Sequence, residues 1–588
     1  MCGIVGFVGN VKAKEVIVHG LKKLEYRGYD SAGIALNIDN DIKVYKAKGK
    51  MENLEGVLEG KELDSNIGIG HTRWATHGEP SDVNAHPHSS ESGDIVIVHN
   101  GIIENYLDIK KGLKAKKIVS ETDTEIVAHK LNENYNGDLL DTLKRTIDEV
   151  RGTYALVVMH KEVKDEIVLA KKGSPIIIGT SEEGNIIASD IPAVLKYTNK
   201  IYILEDGEYA RVTKDEVQIF DKKLKLIKRD YIEVDMDEKT AEKDGFDHFM
   251  IKEIHEQAKV IEKIVNTKKL EKVKTNIKRY NKIYFVACGT AHYAGLIGKS
   301  ILDRNTNAAV FAEVASEFRY NEPKIDRKTL LVVTSQSGET ADTLAAVRMA
   351  KEKGARVLSF INVVGSTIAR ESDEVIYTMA GPEIAVASTK AYTSQVMTMI
   401  LTFSKMFGKA VDVVNESKEL MMKFDNVLDI EGYVKQLSNK YKDVDRAFFL
   451  GRGMDYNLAK EAALKLKEVT YLSSEAYPAG ELKHGPIALI DDNTLVVGIM
   501  TDERLYEKTI SNLKEVKARG AKVLAIINDR NDLVLDVADD VIYIPKSQGE
   551  FNAVLANVPS QLFAYHMAVA KELDVDMPRN LAKSVTVE

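Results

Sequence analysis

Two hydrophobic rhythms divide the chain. Up to about residue 230, compact apolar runs of strand length alternate with Gly-rich turns: Ile4–Val8, Ile67–Gly70, Ile95–Val98 and Tyr154–Met159. Glu15–Leu24 and Glu125–Leu131 carry helical spacing instead, so this part predicts an α+β fold of stacked sheets covered by helices. From residue 275 strands alternate with helices, the pattern of parallel α/β layers. That second pattern occurs twice. Tyr284-Phe285-Val286-Ala287-Cys288-Gly289-Thr290 opens a helix, and about 164 residues later Phe448-Phe449-Leu450-Gly451-Arg452-Gly453-Met454 does the same. Lys353-Gly354-Ala355-Arg356-Val357-Leu358 likewise returns as Arg519-Gly520-Ala521-Lys522-Val523-Leu524. The constant spacing predicts a tandem pair of similar domains, joined by helical sequence around 410 to 440.

Between the two rhythms, Asp230–Glu238 is acidic and weakly periodic, and a helical pattern resumes near Phe249. The expected organisation is a first domain over 1–240 including this linker, two related domains over 241–430 and 431–575, and a C-terminal tail over 576–588. Composition narrows the class. A chain of 588 residues with 44% hydrophobic and 29% charged positions is an ordinary multidomain globular protein. No apolar run approaches the roughly 20 residues that span a bilayer, so no membrane association and a cytoplasmic location are expected. The net charge of −8 gives no nucleic-acid footprint, and two cysteines cannot build a disulfide framework.

One of those cysteines is Cys2. Removal of Met1 would leave a thiol and a free α-amine on one residue, a nucleophile with a base that titrates at roughly 7.7 to 8.0. From position alone an inert cysteine at a frayed terminus fits as well. Four polar clusters follow it: Glu25–Gly33, too rich in turn formers for a core element; His71–Gly78, directly after a strand; His99-Asn100-Gly101; and Ser120–Glu125, a helix-start signature with Thr or Asp as cap. Each has a plainer reading, since Asn-Gly after a strand is most often a turn. The histidines 71, 77, 86, 88 and 99 could suggest a metal site, but without a cysteine or HExxH pattern beside them no metal is expected. Together the clusters suit amide hydrolysis. A side-chain amide at Asn100 and a backbone N–H at Gly101 can hold an oxyanion, Arg73 can pair with a carboxylate, and Asp123 with an ammonium.

Cys2–Gly6, Tyr26–Gly33, His71–Gly78, His99–Gly101 and Glu121–Glu125 resemble the N-terminal-nucleophile (Ntn) glutamine amidotransferases, and among them the glucosamine-6-phosphate synthases. The resemblance implies an Ntn sandwich followed by two α/β sugar isomerase (SIS) domains with parallel sheets. It implies Cys2 as the nucleophile towards glutamine and Asn100 and Gly101 as the oxyanion hole. Arg73, Thr76, His77 and Asp123 would form the glutamine pocket, with Trp74 on an ammonia passage. Ala258 departs from the family, which commonly carries proline there, at a helix start.

In the first copy of the repeat, Leu331–Ser335 reads as a buried strand running into Gln336-Ser337-Gly338-Glu339-Thr340. Hydroxyls, N–H groups and a helix dipole converge there as a phosphate cradle, or more plainly as a Ser-rich cap. The second copy has Thr501-Asp502-Glu503, whose acids would repel phosphate, so one phosphate site per chain is expected. Gly451-Arg452-Gly453 completes no dinucleotide fingerprint. Ser335, Gln336, Ser337 and Thr340 resemble the phosphosugar loop of sugar isomerase domains, and Cys288, Gly289, Thr290, Ala387 and Ser388 resemble further sugar-pocket segments.

Lys465 and Glu468 are three residues apart and share a helix face, which for an arbitrary pair means a surface ion pair. His484, next to Gly485-Pro486, reads as a loop histidine. The resemblance assigns them otherwise: Glu468 to proton transfer between C1 and C2, Lys465 to its support, and His484 to ring opening from a neighbouring subunit. Lys583 in the tail would form an imine with the ketose. It thus implies glutamine and fructose 6-phosphate as substrates, a homodimer, no cofactor, and the reaction of EC 2.6.1.16. A phosphoribosyl amidotransferase or asparagine synthetase would share the first 200 or so residues, but the duplicated pattern and the lack of an SGGxDS loop argue against both. A non-catalytic phosphosugar sensor would need none of Cys2, Glu468, His484 or Lys583.

Overall fold

The computed structural model describes residues 2–234, 242–267 and 273–586, with the side chains of 410–413 left aside. The chain forms two compact units, one of residues 1–242 with 582–588, the other of residues 243–581. The expected boundary at 240 and the acidic stretch from Asp235 to Glu238 lie outside the described residues, as do Met1, Val587 and Glu588.

The first unit is a sandwich of two antiparallel sheets. One has eight strands in the order Ile232–Glu233, Lys200–Ile203, Ile177–Ser181, Gly184–Ala188, Gly3–Gly9, Ile67–Arg73, Ser31–Ile38 and Asp41–Lys48. The other has seven, with Ile95–Ile103, Gly152–His160 and Glu166–Lys172 in succession. Ile4, Val8, Ile67 and Ile69 from the first sheet meet Val96, Val98, Val157 and Leu169 from the second in one dry layer. Helices Asp123–Asn134 and Leu139–Glu149 cover the far face of the second sheet. Helix Ala13–Lys23 lies on the first, so close that a Cβ on Gly70 would come within 2.5 Å of Ile17 Cγ2.

Two local expectations are corrected. Glu25–Gly33 is a turn only as far as Asp30, because Ser31–Ile38 is a strand buried through Leu36. Its small residues permit a close backbone approach: a Cβ on Gly33 would sit 2.2 Å from the carbonyl of His86. Asn100-Gly101 is likewise no turn but part of the strand Ile95–Ile103.

The second unit contains two five-stranded parallel sheets with the same topology. The first runs Ala309–Val314, Lys282–Ala287, Thr329–Ser335, Arg356–Ile361, Glu374–Tyr377; the second runs Ser473–Pro478, Arg446–Gly451, Thr494–Met500, Lys522–Ile527, Asp540–Tyr543. Identical strand order is the structural counterpart of the sequence repeat. Helices Ala410–Leu428 and Glu431–Tyr441 fill the stretch between the copies. Phe285, Leu330 and Leu358 from one sheet share a continuous core with Leu495, Val497 and Leu524 from the other, and helix Phe551–Ala570, buried from Phe551 through Ala568, runs through it. Ala258 is the second residue of helix Gln257–Asn266, a helix start as expected.

Candidate active sites

In the first unit, strand pairing brings the polar clusters together. Gly3 lies opposite Thr72, which sets Cys2 beside Trp74, and a Cβ on Gly3 would come to 2.5 Å of Thr72 Oγ1. The Trp74 N–H donates to Cys2 Sγ at 3.3 Å. Burial pushes the Cys2 thiol up, opposed by the N-terminal charge, the Trp74 N–H and Arg73. The resting thiol therefore needs a base to become a nucleophile. Asp30 fixes the neighbouring loop at both ends: its N–H donates to Arg73 O at 2.9 Å and its carboxylate accepts from Ala75 N at 2.8 Å.

Arg73 donates through Nη2 to the carbonyls of His77 and, at 3.1 Å, Gly78. Its buried Nη1 has no hydrogen-bond partner among the described residues, a spare donor for a carboxylate. Asn100 Nδ2 donates to Cys2 O at 2.9 Å. Gly101 has φ +137, and a Cβ there would lie 2.1 Å from Thr153 O, so only glycine fits. Asp123 opens helix Asp123–Asn134 behind the Thr122 cap, is 5% exposed, and accepts from Ile103 N at 2.7 Å.

Cys2, Arg73, Trp74, Thr76, His77, Asn100, Gly101 and Asp123, scattered over about 120 residues of sequence, all line one pocket of about 560 Å³ counted to its open mouth. Sequence reasoning missed four other kinds of lining: His86, His99, the threonines beside Asp123, and Val585 with Thr586 from the terminal segment. The tail residues carried no signal for this pocket, because their resemblance pointed to sugar chemistry.

In the second unit, the loop expected to cradle phosphate follows the strand Thr329–Ser335 of the first sheet. Ser335 Oγ accepts from Gly338 N at 2.9 Å and lies 3.4 Å from Thr340 Oγ1, and Thr340 precedes helix Ala341–Glu352. Gly338 has φ +67, and a Cβ on it would meet Ser366 Oγ at 2.0 Å. Ser337 Oγ accepts from Glu339 N at 3.2 Å, and Gln336 is half-buried beside it. Cys288 precedes helix Gly289–Asp303, with Sγ 3.8 Å from Thr343 Oγ1. The loop that carries Ala387 and Ser388 is tied to Glu383, whose carboxylate accepts from Ser388 Oγ at 2.7 Å and from the N–H groups of Thr389 and Ala391 at 2.9 Å.

The equivalent loop of the second copy is occupied from within. Asp455 accepts from Thr501 N at 2.9 Å, Thr501 Oγ1 at 2.5 Å and Asp502 N at 3.4 Å. Burial raises its carboxyl to about 6 against those bonds.

Lys465 and Glu468 are not a surface ion pair. On helix Met454–Thr470, Lys465 is 1% exposed and its Nζ lies 2.6 Å from Glu468 Oε2. A third member, Glu461, is fully buried with Oε1 3.4 Å from the same Nζ. Burial pushes Glu461 up to about 8, against the pull of Lys465. Burial also works against the Lys465 charge, but Glu461 and Glu468 together hold it above the ordinary lysine range. Thr290 joins the cluster from the other copy: it donates to Glu461 at 3.2 Å and accepts from Lys465 at 3.0 Å. Helical spacing could have flagged Glu461, one turn before Lys465, but only burial distinguishes it. His484 ends the turn Glu481–His484, exposed. Lys583 is half-buried in the segment 582–588, which groups with the first unit.

The comparisons with known proteins match both halves. The glutamine amidotransferase domain model matches residues 55–244, and the SIS domain model matches residues 276–405 and 440–571. A Clostridium tetani protein called glutamine–fructose-6-phosphate aminotransferase [isomerizing] is 50% identical over 609 residues, covering 100% of both chains. One of the same name from Caldanaerobacter subterraneus subsp. tengcongensis is 49% identical with the same coverage. Among solved structures, the C-terminal domain of glucosamine-fructose-6-phosphate aminotransferase from Francisella tularensis matches with a TM-score of 0.53 and 34% identity, over 57% of this chain and 99% of that one. With an Ntn-type sandwich, a paired SIS fold and full-length identity at this level, the chain belongs to the isomerising glutamine–fructose-6-phosphate aminotransferase family.

Proposed function

We propose that this chain transfers the amide nitrogen of glutamine to fructose 6-phosphate, giving glucosamine 6-phosphate and glutamate, the entry step of hexosamine synthesis. The observation that carries the reading is the presence, in one chain of this family, of a Cys2 pocket and of a Glu461–Lys465–Glu468 cluster bonded to Thr290 of the other copy.

In the first half-reaction the Cys2 thiolate, deprotonated by its own α-amine once Met1 is removed, attacks the glutamine amide. Asn100 Nδ2 and the Gly101 N–H stabilise the oxyanion, while Arg73 and Asp123 hold the amino-acid end and Thr76 and His77 border it. Ammonia leaves past Trp74, and water cleaves the thioester to glutamate. In the second, Ser335, Gln336, Ser337 and Thr340 hold the sugar phosphate, with Cys288, Gly289, Ala387 and Ser388 around the sugar. Lys583 adds to the C2 ketone and water leaves to give an imine, ammonia exchanges with it and frees Lys583, and Glu468, oriented by Lys465, takes a proton from C1 and returns it to C2. His484 opens the sugar ring in the neighbouring subunit of a homodimer; its exposure on its own protomer supports that role. No cofactor or metal enters either half. A cytoplasmic location fits, and among the described residues no helix is long and apolar enough to cross a membrane.

Purified protein incubated with glutamine, fructose 6-phosphate and a chelator should yield amino sugar phosphate by mass spectrometry; glutamate without amino sugar overturns the reading. Intact mass tests the nucleophile separately: a fully glutamine-active enzyme that retains Met1 refutes the N-terminal mechanism.

A further inference from the structure

Behind the Cys2 pocket, histidines gather from both sheets of the sandwich. His71 stands on Ile67–Arg73 of the first sheet, His99 on Ile95–Ile103 and His88 on the edge strand His88–Ser89 of the second, and His86 just before that edge strand; none is more than 6% exposed. Among the described residues no group of three His, Cys, Asp or Glu is arranged to hold a metal. Their arrangement serves hydrogen bonding instead. His71 Nε2 lies 3.0 Å from Asn100 Oδ1, 3.1 Å from His99 O and 3.1 Å from His86 Nδ1.

These neighbours fix the tautomer. The His99 carbonyl can only accept, so the hydrogen of His71 is assigned to Nε2, where it is shared between His99 O and Asn100 Oδ1 and leaves His86 Nδ1 as a further acceptor. His71 Nδ1 has no partner among the described residues, so a second proton there would be buried unbonded. Burial accordingly pushes His71 down to about 3, and the ring is neutral at working pH. The sense of the Asn100 amide follows. With an N–H pointing at it from His71, Asn100 presents Oδ1 on that side, which leaves Nδ2 directed at Cys2 O at 2.9 Å. A flipped amide would set two N–H groups against each other and turn its oxygen towards Cys2, where a developing oxyanion would be repelled.

We propose that His71 is a positioning residue for glutamine hydrolysis: its Nε2–H holds the Asn100 side-chain amide with the N–H group facing the reacting carbonyl. The inference rests on Asn100 being an oxyanion donor, as read above. Removing one such donor costs on the order of 10²–10³ in kcat, and a donor that is present but free to rotate costs less.

The test is a double-mutant cycle in the full chain, with glutamine hydrolysis as readout. His71→Leu should lower kcat by about 10–100-fold with KM for glutamine within about twofold. Cys2 alkylation by iodoacetamide, which forms no oxyanion, should keep its rate. His71→Gln, whose amide N–H can reach Asn100, should recover most of kcat. In an Asn100→Ala background His71→Leu should cost little more, because the group it orients is gone. Should His71→Leu not fold, His71→Asn, polar but too short to reach, takes its place. Additive losses in the double variant, or equal losses for the Gln and Leu variants, overturn the positioning role. If Asn100→Ala itself leaves kcat intact, the oxyanion reading fails instead, and the two failures are told apart.

Discussion

Replacing Lys465 with methionine keeps the side-chain length and removes the ammonium that pairs with Glu468 and sits 3.4 Å from Glu461. Lys465 is 1% exposed, Glu461 fully buried and Glu468 about one-fifth exposed, so water cannot replace the lost ammonium. Breaking a buried ion pair from one side costs about 3–5 kcal/mol. With an unfolding entropy of about 2.1 cal/mol/K per residue over the roughly 340 residues of the second unit, that loss lowers its Tm by about 4–7 °C. The pH dependence is more diagnostic. Glu461 titrates at about 8 in the folded chain, above the ordinary 4.5. Its contribution to stability is therefore complete below about pH 4.5, falls as pH rises, and levels off above about 8. Without Lys465 the folded value moves higher still, so the variant continues to lose stability above pH 8 where the parent no longer does. Scanning calorimetry of both proteins from pH 6 to 9.5, with amino sugar synthesis in parallel, reads the effect. A methionine variant with the parent Tm across that range and undiminished synthesis refutes the buried, catalytically coupled cluster.

Other consequences are simpler to state. Gly338→Ala places a Cβ 2.0 Å from Ser366 Oγ at φ +67, so the phosphate loop must open; KM for fructose 6-phosphate should rise at least tenfold while glutamine hydrolysis without sugar persists, and an unchanged KM removes the loop from phosphate binding. Asp455→Ala strips three donors of their acceptor and should destabilise the second unit by about 2–3 kcal/mol, read by calorimetry; an unchanged Tm would show that those donors find other partners. Glu431, 2.7 Å from His255 and 3.0 Å from His566, titrates at about 2, so its contribution is present above about pH 4.5 and lost as pH falls towards 2; Glu431→Gln should flatten that acid limb, and an unaltered acid profile would exclude the contact as its source.

What could be read in the sequence was what is local along the chain. Apolar runs located two strands in each sheet of the sandwich, and the repeat located two domains whose strand orders turn out identical. The eight residues expected around glutamine lie in four short clusters, each next to a strand or helix start, and strand pairing alone brings such sites together. What stayed hidden depends on contacts between distant elements. His71 and Asn100 are on different sheets, and nothing in either stretch announces that one aims the other. Glu461 looks like any solvent-facing glutamate of a helix until the core it enters is known. Ser31–Gly33 has turn composition, yet close packing on the His86 backbone selects the same small residues inside a strand.

Under the proposed function, two copies of one fold divide the work of one sugar site between them. In the first copy the helix opens at Gly289, with φ +53, and Thr290, and the facing loop is built mainly from serine, glycine and threonine; its acid, Glu339, is buried and accepts from Thr367 N at 2.7 Å. In the second copy the corresponding helix start carries Asp455, and its carboxylate already accepts the loop N–H groups that an anion would need. A second phosphate there must displace a bonded carboxylate and then face its charge, so the loop is closed to it. Freed from binding, the same helix two to four turns further on supplies Glu461, Lys465 and Glu468, and Thr290 of the first copy is bonded to both Glu461 and Lys465. Under that reading one copy offers the cradle and the other the charged groups, and Thr290, bonded to both Glu461 and Lys465, joins the two halves of the work.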